Sequence, residues 1–269
     1  EKVAEAGIRV RMGITVETLE NDADGVEVVF TDGIRSRYNL VVGADGIRSK
    51  VRSLLFGLKE PDFSGFAAWR YVIPRPDTIT DLNWFWGRNA TIGIVPLSSS
   101  TMYIAGTSVE PNNPRYAKKD LPRLFREKFS QFEAEVPEYL QQISNPDEVV
   151  YTPLEEVRLT RPWYEGRVLL VGDAAHASTP FWALGAALAL EDVALLTRLI
   201  NQGDDLSVIL PEWFERRLPR CKFVQEGSVA TGKQMHSAEG EGPRVFPPPA
   251  REAIKRGMQE RALKLAEPY

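Results

Sequence analysis

The sequence predicts an α/β fold with an inserted, mostly antiparallel β domain and helices toward its C-terminal end. Three observations carry this. An apolar run, Val168 to Val171, stops at Gly172-Asp173 and gives way to helix-forming sequence from about Ala183, with Pro180 and Gly185 near its start. Residues 40–55 repeat the layout: an apolar run to Gly43, then Asp45-Gly46, then a helix carrying Arg48 and Arg52. Between the two lie short alternating segments broken by Pro, Gly and Ser clusters, the pattern of antiparallel strands. A short apolar run that ends in a tight glycine turn and meets a helix N-terminus is the local geometry that holds polar cofactors in open α/β sheets.

Taken in order, residues 8–16 and 26–30 alternate as strands joined by the polar turn Asn21-Asp22-Ala23-Asp24-Gly25, and Thr31-Asp32-Gly33 marks another hairpin turn. Residues 40–43 return to the main sheet, and Asp45 or Ser49 caps the helix that follows. Beyond Gly57, residues 66–73, 83–86, 90–95 and 101–108 read as short strands. Residues 120–132 form an amphipathic helix, with Leu121, Leu124, Phe125, Lys128 and Phe129 at helical spacing. Residues 149–158 and 168–171 lead back to the first domain. Residues 183–201 make a strongly apolar helix and 211–236 read as helical. A loop with Gly240, Gly242 and Pro247-Pro248-Pro249 precedes a last helix at 250–265. The expected division is 1–57 and 151–201 for the α/β domain, 58–150 for the β domain, and 202–269 for a C-terminal helical region.

Composition narrows the function. The 269 residues suffice for a large core and two compact units. A net charge of −4 without any basic block gives no electrostatic case for a nucleic-acid partner, and none is expected. The single cysteine, Cys221, excludes an internal disulfide and suits a reducing, cytoplasmic compartment. Two histidines and one cysteine are too few for a zinc site unless carboxylates dominate it, and no metal site is expected. No signal-peptide pattern stands out. The most apolar stretch, residues 168–200, is interrupted by Asp173, His176, Pro180, Glu191 and Asp192, so it reads as core and not as a membrane span.

Val42-Gly43-Ala44-Asp45-Gly46-Ile47-Arg48-Ser49 and Gly172-Asp173-Ala174-Ala175-His176 occur in that order, about one substrate domain apart. They resemble the paired Asp-Gly and Gly-Asp motifs of the flavin-dependent aromatic hydroxylases, the single-component FAD monooxygenases of para-hydroxybenzoate hydroxylase or salicylate hydroxylase type. The resemblance extends over roughly residues 8–220. It implies an FAD-binding, Rossmann-like three-layer domain with an inserted β substrate domain, FAD as cofactor, NAD(P)H and molecular oxygen as co-substrates, and a phenolic, aromatic or otherwise hydrophobic substrate.

Residue by residue, the resemblance places Gly172 and Asp173 at the ribityl hydroxyls, and Pro180, Ala183, Leu184 and Gly185 where helix N–H groups face the isoalloxazine. Asp45 falls near the pyrophosphate, with a part in nicotinamide access and Arg48 as its charge partner. The commoner family pattern is Pro-x-x-Gly-x-Gly. Here Ala183 stands for the first glycine and Leu184 is bulky, and alanine fits there with a negative φ. Trp69-Arg70 matches a Trp-Arg pair of many relatives, and Arg70 is a candidate to neutralise a carboxylate or phenolate, or to contact the flavin. Trp69, Trp86, Phe181 and Trp182, with Trp84, Phe85 and Tyr103, are candidates for an aromatic pocket, although aromatics at strand spacing serve equally as core. His176 is a candidate proton-handling group or a packing histidine beside the cofactor cleft. Glu191 and Asp192 read as helix-surface or interdomain contacts.

No Gly-x-Gly-x-x-Gly spacing occurs in the sequence, so the chain reads as a family member without its first βαβ unit. A fragment, a flavoenzyme completed by a separate chain, and a flavin-free derivative performing isomerisation, cyclisation or hydrolysis through Asp45, Asp173, His176 and Arg70 all follow from that pattern.

Overall fold

The computed structural model describes residues 2–236 and 248–267. In chain order the elements are α1 (Lys2–Glu5), β1 (Val16–Asn21), β2 (Val26–Phe30), β3 (Arg35–Tyr38), β4 (Val41–Gly43), α2 (Lys50–Phe56), β5 (Asp62–Pro74), β6 (Asn83–Gly87), β7 (Ala90–Pro96) and β8 (Thr101–Val109). They continue with α3 (Leu121–Lys128), α4 (Val136–Gln141), β9 (Val150–Glu156), β10 (Tyr164–Glu165), β11 (Val168–Leu170), α5 (Asp173–His176), α6 (Gly185–Ile200), α7 (Leu206–Met235) and α8 (Pro248–Ala266). The chain forms two units: Glu1–Pro61, Val157–Ala177 and Leu184–Lys222 make the first, and Asp62–Glu156, Ser178–Ala183 and Phe223–Tyr269 the second. The division falls inside α7.

In the first unit β11 pairs in parallel with β4, Val168 opposite Val41 and Leu170 opposite Gly43, and β10 adds antiparallel at its other side. Val168, Leu169 and Leu170 are completely buried, which is why this strand reads as a continuous apolar run without alternation. A separate antiparallel sheet holds β1, β2 and β3. The expected strand at residues 8–16 is not formed. Ile8 and Val10 are exposed, and the strand is β1, whose residues find a partner in β2. Alternation marks a strand only where a neighbouring chain accepts its hydrogen bonds.

α6 buries Leu188, Asp192, Leu195, Leu196 and Leu199. α7 starts at Leu206, ahead of the expected Pro211, because the Asp205 carboxylate accepts the Ser207 N–H at 2.8 Å.

The second unit is built on one antiparallel sheet in the order β6-β7-β8-β5-β9. One face of the sheet packs Trp69, Ile92, Ile94, Met102 and Ile104 against Phe125, Phe129, Phe132 and Ile143. The expected helix at 120–132 ends at Lys128. Phe129 has left helical geometry at φ −106° and ψ 11°, and it turns with Phe132 into the same core. The Gly240 and Gly242 loop lies outside the described residues. No helix among the described residues is long and apolar enough to cross a membrane.

Candidate functional site

Two sequence motifs meet at the carboxyl ends of the paired strands β4 and β11. After β11 the Val171 N–H donates to Gly43 O at 3.1 Å, and the chain turns sharply at Gly172, with φ 58° and ψ −141°. That conformation favours glycine, because a Cβ there crowds the following carbonyl. Asp173 follows at the start of α5 with its carboxylate exposed and without a hydrogen-bond partner among the described residues.

After β4, Asp45 has a different occupation. Its carboxylate accepts the Ser49 hydroxyl at 2.5 Å and the Val51 N–H at 3.0 Å, while Ser49 Oγ accepts the Arg52 N–H at 2.9 Å. Both residues cap α2. Arg48 is exposed and pairs with Glu60 at 2.8 Å. Arg52, which the sequence placed on this helix without a site role, is buried and joins the two loops, donating to Ile47 O at 2.7 Å and Ala174 O at 2.9 Å.

Pro180–Trp182 form a single 3-10 turn that delivers the chain to α6. Ala183 does not have the negative φ expected of it. It sits in the left-handed region at φ 53° and ψ 33°, a conformation that glycine adopts more readily than alanine. The helix therefore begins at Gly185, after Leu184 at the cap position, and no side chain caps it. Its first N–H groups are left for a ligand or solvent.

Asp192 is the residue sequence reasoning placed wrongly. It is completely buried inside the first unit, so it is neither a surface group nor an interdomain contact. Its carboxylate accepts the Gly172 N–H at 2.8 Å, His176 Nε2 at 2.7 Å and Arg217 Nε at 2.7 Å, and its carbonyl accepts the Trp213 indole N–H at 2.9 Å. Glu191 binds Arg217 and Arg220 beside it. The missed signal is periodic: Leu188, Asp192, Leu195 and Leu199 form one stripe of α6, and an acid in an apolar stripe requires buried partners.

His176 is buried at 2% exposure, with its ring centroid 4.8 Å from that of Trp163. Burial alone depresses its pKa, but Asp192 and Cys221 outweigh that and push it up to about 10. The shift favours the protonated ring, paired with Asp192. His176, Asp192 and Cys221 each place one ligating atom within 4.8 Å of the others, yet the carboxylate is already shared by three N–H donors.

In the second unit, strand alternation separates the aromatic candidates. Trp69 is completely buried on the core face, where its indole N–H donates to Ser108 Oγ at 2.9 Å, and Phe85 packs against the same core. Arg70 points to the other face. Register aligns Trp84, Gly93, Ala105 and Arg70 in one row across four strands, with Trp86, Thr91, Thr107 and Ala68 in the next. The Trp84 ring lies over Gly93, where a Cβ would come within 2.9 Å of it. Arg70 is exposed and has no ion-pair partner among the described residues.

Phe181 and Trp182 are half-buried against α7, whose Gly227 and Gly232 make room for them. A Cβ on Gly227 would come within 2.0 Å of the Trp182 ring, and one on Gly232 within 2.3 Å of Phe181. The Trp182 indole N–H donates to Thr231 Oγ1 at 2.8 Å, and Phe181 contacts the rings of Phe66 and His236.

A family model described as an FAD binding domain matches residues 1–203. The chain belongs to this FAD binding domain family. Within it, the protein is 33% identical over 230 residues to YetM of Bacillus subtilis, which is assigned as an FAD-dependent monooxygenase, covering 83% of this chain and 62% of that one. It is 32% identical over 219 residues to 6-hydroxynicotinate 3-monooxygenase of Bordetella bronchiseptica, covering 78% of this chain and 57% of the relative. The chain thus spans about 60% of the length of these relatives. Klebsiella pneumoniae HpxO, solved with FAD and uric acid, shares the fold at a TM-score of 0.76 and 23% identity over 92% of this chain and 62% of that one. FAD is the cofactor by which the family is described.

Proposed function

We propose that the protein acts as an FAD- and NAD(P)H-dependent monooxygenase that hydroxylates an aromatic or heteroaromatic small molecule in the cytoplasm. The observation that carries this reading is Asp173: an exposed carboxylate, without a partner among the described residues, at the carboxyl end of a parallel strand, on a turn held against the helix that no side chain caps. These residues fit FAD. The carboxylate accepts hydroxyl hydrogen bonds, as the ribityl chain requires, and the free N–H groups of α6 favour negative charge at the flavin edge. Bound FAD supplies reduction by the nicotinamide and oxygen activation for transfer to the ring.

The chain's own groups bind, orient and shield. Asp173 holds the ribityl hydroxyls, Gly172 lets the backbone approach, and the Pro180–Gly185 segment presents the helix N–H groups. Asp45 and Arg48 lie in the loop assigned to the pyrophosphate. There the Asp45 carboxylate contributes by ordering α2, whose N-terminus it caps. On the sheet face of the second unit, Arg70 pairs with a carboxylate or phenolate of the substrate, and Trp84 and Trp86 offer stacking surface. Phe181 and Trp182 are apolar substrate-contacting candidates of the second unit. His176 acts by ordering the Gly172 turn through Asp192. Trp69 acts as core beneath Arg70.

The testing experiment is an absorbance titration of the purified chain with FAD, followed by NAD(P)H oxidation with phenolic and hydroxylated heteroaromatic candidates. Saturable perturbation of the flavin bands and substrate-stimulated NAD(P)H oxidation are expected. Flavin bands that stay unchanged at high FAD overturn the reading for this chain.

A further inference from the structure

Asp192 lies too deep to touch a ligand, yet it touches the backbone of the turn that presents Asp173. The Gly172 N–H is buried and donates to Asp192 Oδ2, the oxygen that also takes His176 Nε2, while the other oxygen takes Arg217 Nε. The same turn abuts α6 one turn earlier, where a Cβ on Gly172 would come within 3.0 Å of Ala189 Cβ. α6 begins at Gly185 with the uncapped N–H groups, so Asp173 and that N-terminus are connected through Asp192 in the second turn of one rigid helix.

We propose that Asp192 is a positioning residue that sets the register between the Asp173 carboxylate and the N-terminus of α6, and so tunes the flavin site from beneath. The inference rests on the FAD reading given above. Three of its features distinguish it from a core ion pair. Its acceptor is shared between side chains and one backbone N–H, and that N–H belongs to a residue in a glycine-favoured conformation. The flanking groups favour an ionised carboxylate: three basic side chains, His176, Arg217 and Arg220, face the two acids Asp192 and Glu191. Burial raises the Asp192 pKa, and the His176 hydrogen bond with the neighbouring charges overcomes it, leaving the carboxyl below its usual range. An ionised acceptor also makes the hydrogen bond to Gly172 stronger than a neutral one.

Three variants carry the test: Asp192→Asn, Asp192→Ala, and Leu195→Ala, which empties a buried α6 position outside the network. Two quantities are read on each folded protein: hydrogen exchange of the Gly172 amide without flavin, and FAD affinity by quenching of flavin fluorescence. The expected result for Asp192→Asn is Gly172 exchange faster by about tenfold and FAD affinity weaker by about tenfold or more, the scale of losing one charge-assisted hydrogen bond. Asp192→Ala, where it folds, exceeds both. Leu195→Ala lowers the melting temperature and changes neither. Unchanged Gly172 exchange in Asp192→Asn overturns the inference, as does faster exchange with wild-type FAD affinity, which reduces Asp192 to a structural role. Wild-type protein that binds no FAD overturns the FAD reading, and this inference with it. Asp192→Asn losses matched by Leu195→Ala also overturn it, because general destabilisation then accounts for them.

Discussion

At Ala183 one backbone angle departs from what its residue type prefers. A φ of 53° costs an alanine on the order of 1 kcal/mol relative to glycine, offset in part by the greater freedom glycine has when unfolded. Ala183→Gly is therefore expected to stabilise the chain by about 0.5–1 kcal/mol in urea unfolding. An unchanged or lower midpoint would contradict the left-handed assignment.

At Asp173 the expectation is opposite in kind. Asp173→Ala removes no hydrogen bond or ion pair among the described residues, so the melting temperature should stay within about 1 °C of wild type while FAD affinity falls, a split that calorimetry and fluorescence titration read together. His176 carries a pH signature. Its folded pKa of about 10 lies above the ordinary 6.5, so the stability it contributes is fully present below pH 6.5 and is lost as pH rises toward about 10. Melting temperatures should fall across that window, and His176→Gln should flatten the fall. A slope unaltered in the variant would show that other groups produce it. Of these residues, Asp173 and Gly172 were legible in the sequence because their chemistry is local. Asp192 was not, because its partners Gly172 and Arg217 are 20 and 25 residues away.

Among the elements, α7 shows how packing overrides local preference. Glycine inside a helix costs roughly 1 kcal/mol against alanine, so Gly227 and Gly232 should improve when replaced. In the structure each faces a ring of the Pro180–Trp182 turn, and a Cβ would meet Trp182 or Phe181. Gly227→Ala is expected to destabilise by about 1–3 kcal/mol and to shift tryptophan fluorescence as Trp182 is displaced. A gain in stability would mean the notch is not filled.

The strands behave more simply. β5, β7 and β8 were legible as periodic or apolar runs, and their register then assigned Trp69 to the core and Arg70 to the open face. Adjacent residues on a strand cannot share a face, so the Trp-Arg pair splits into one packing residue and one candidate ligand-binding residue. The strand expected at 8–16 fails for the complementary reason: its alternation is real, but among the described residues ladder pairing with β2 begins only at Val16.

For the whole molecule, binding and stability are linked. FAD at a hundredfold excess over its dissociation constant should stabilise the chain by about 2.7 kcal/mol, read as a rise in melting temperature with FAD concentration. No rise at saturating FAD would sink the cofactor assignment. What the sequence by itself determined is the α/β class, the antiparallel insertion, the two strand-turn-acid-helix segments and the family they belong to. These depend on residue type and spacing along the chain, and turn chemistry and hydrophobic periodicity are local. Only the tertiary structure decided which acids are exposed and which are buried, that Asp45 is spent on a helix cap while Asp173 has no partner among the described residues, that Ala183 bends left-handed, and that α7 carries the notches for Phe181 and Trp182. Each of these turns on a partner far away in sequence: whether a buried charge is satisfied, or a ring finds space, is settled by segments that meet only when the chain folds.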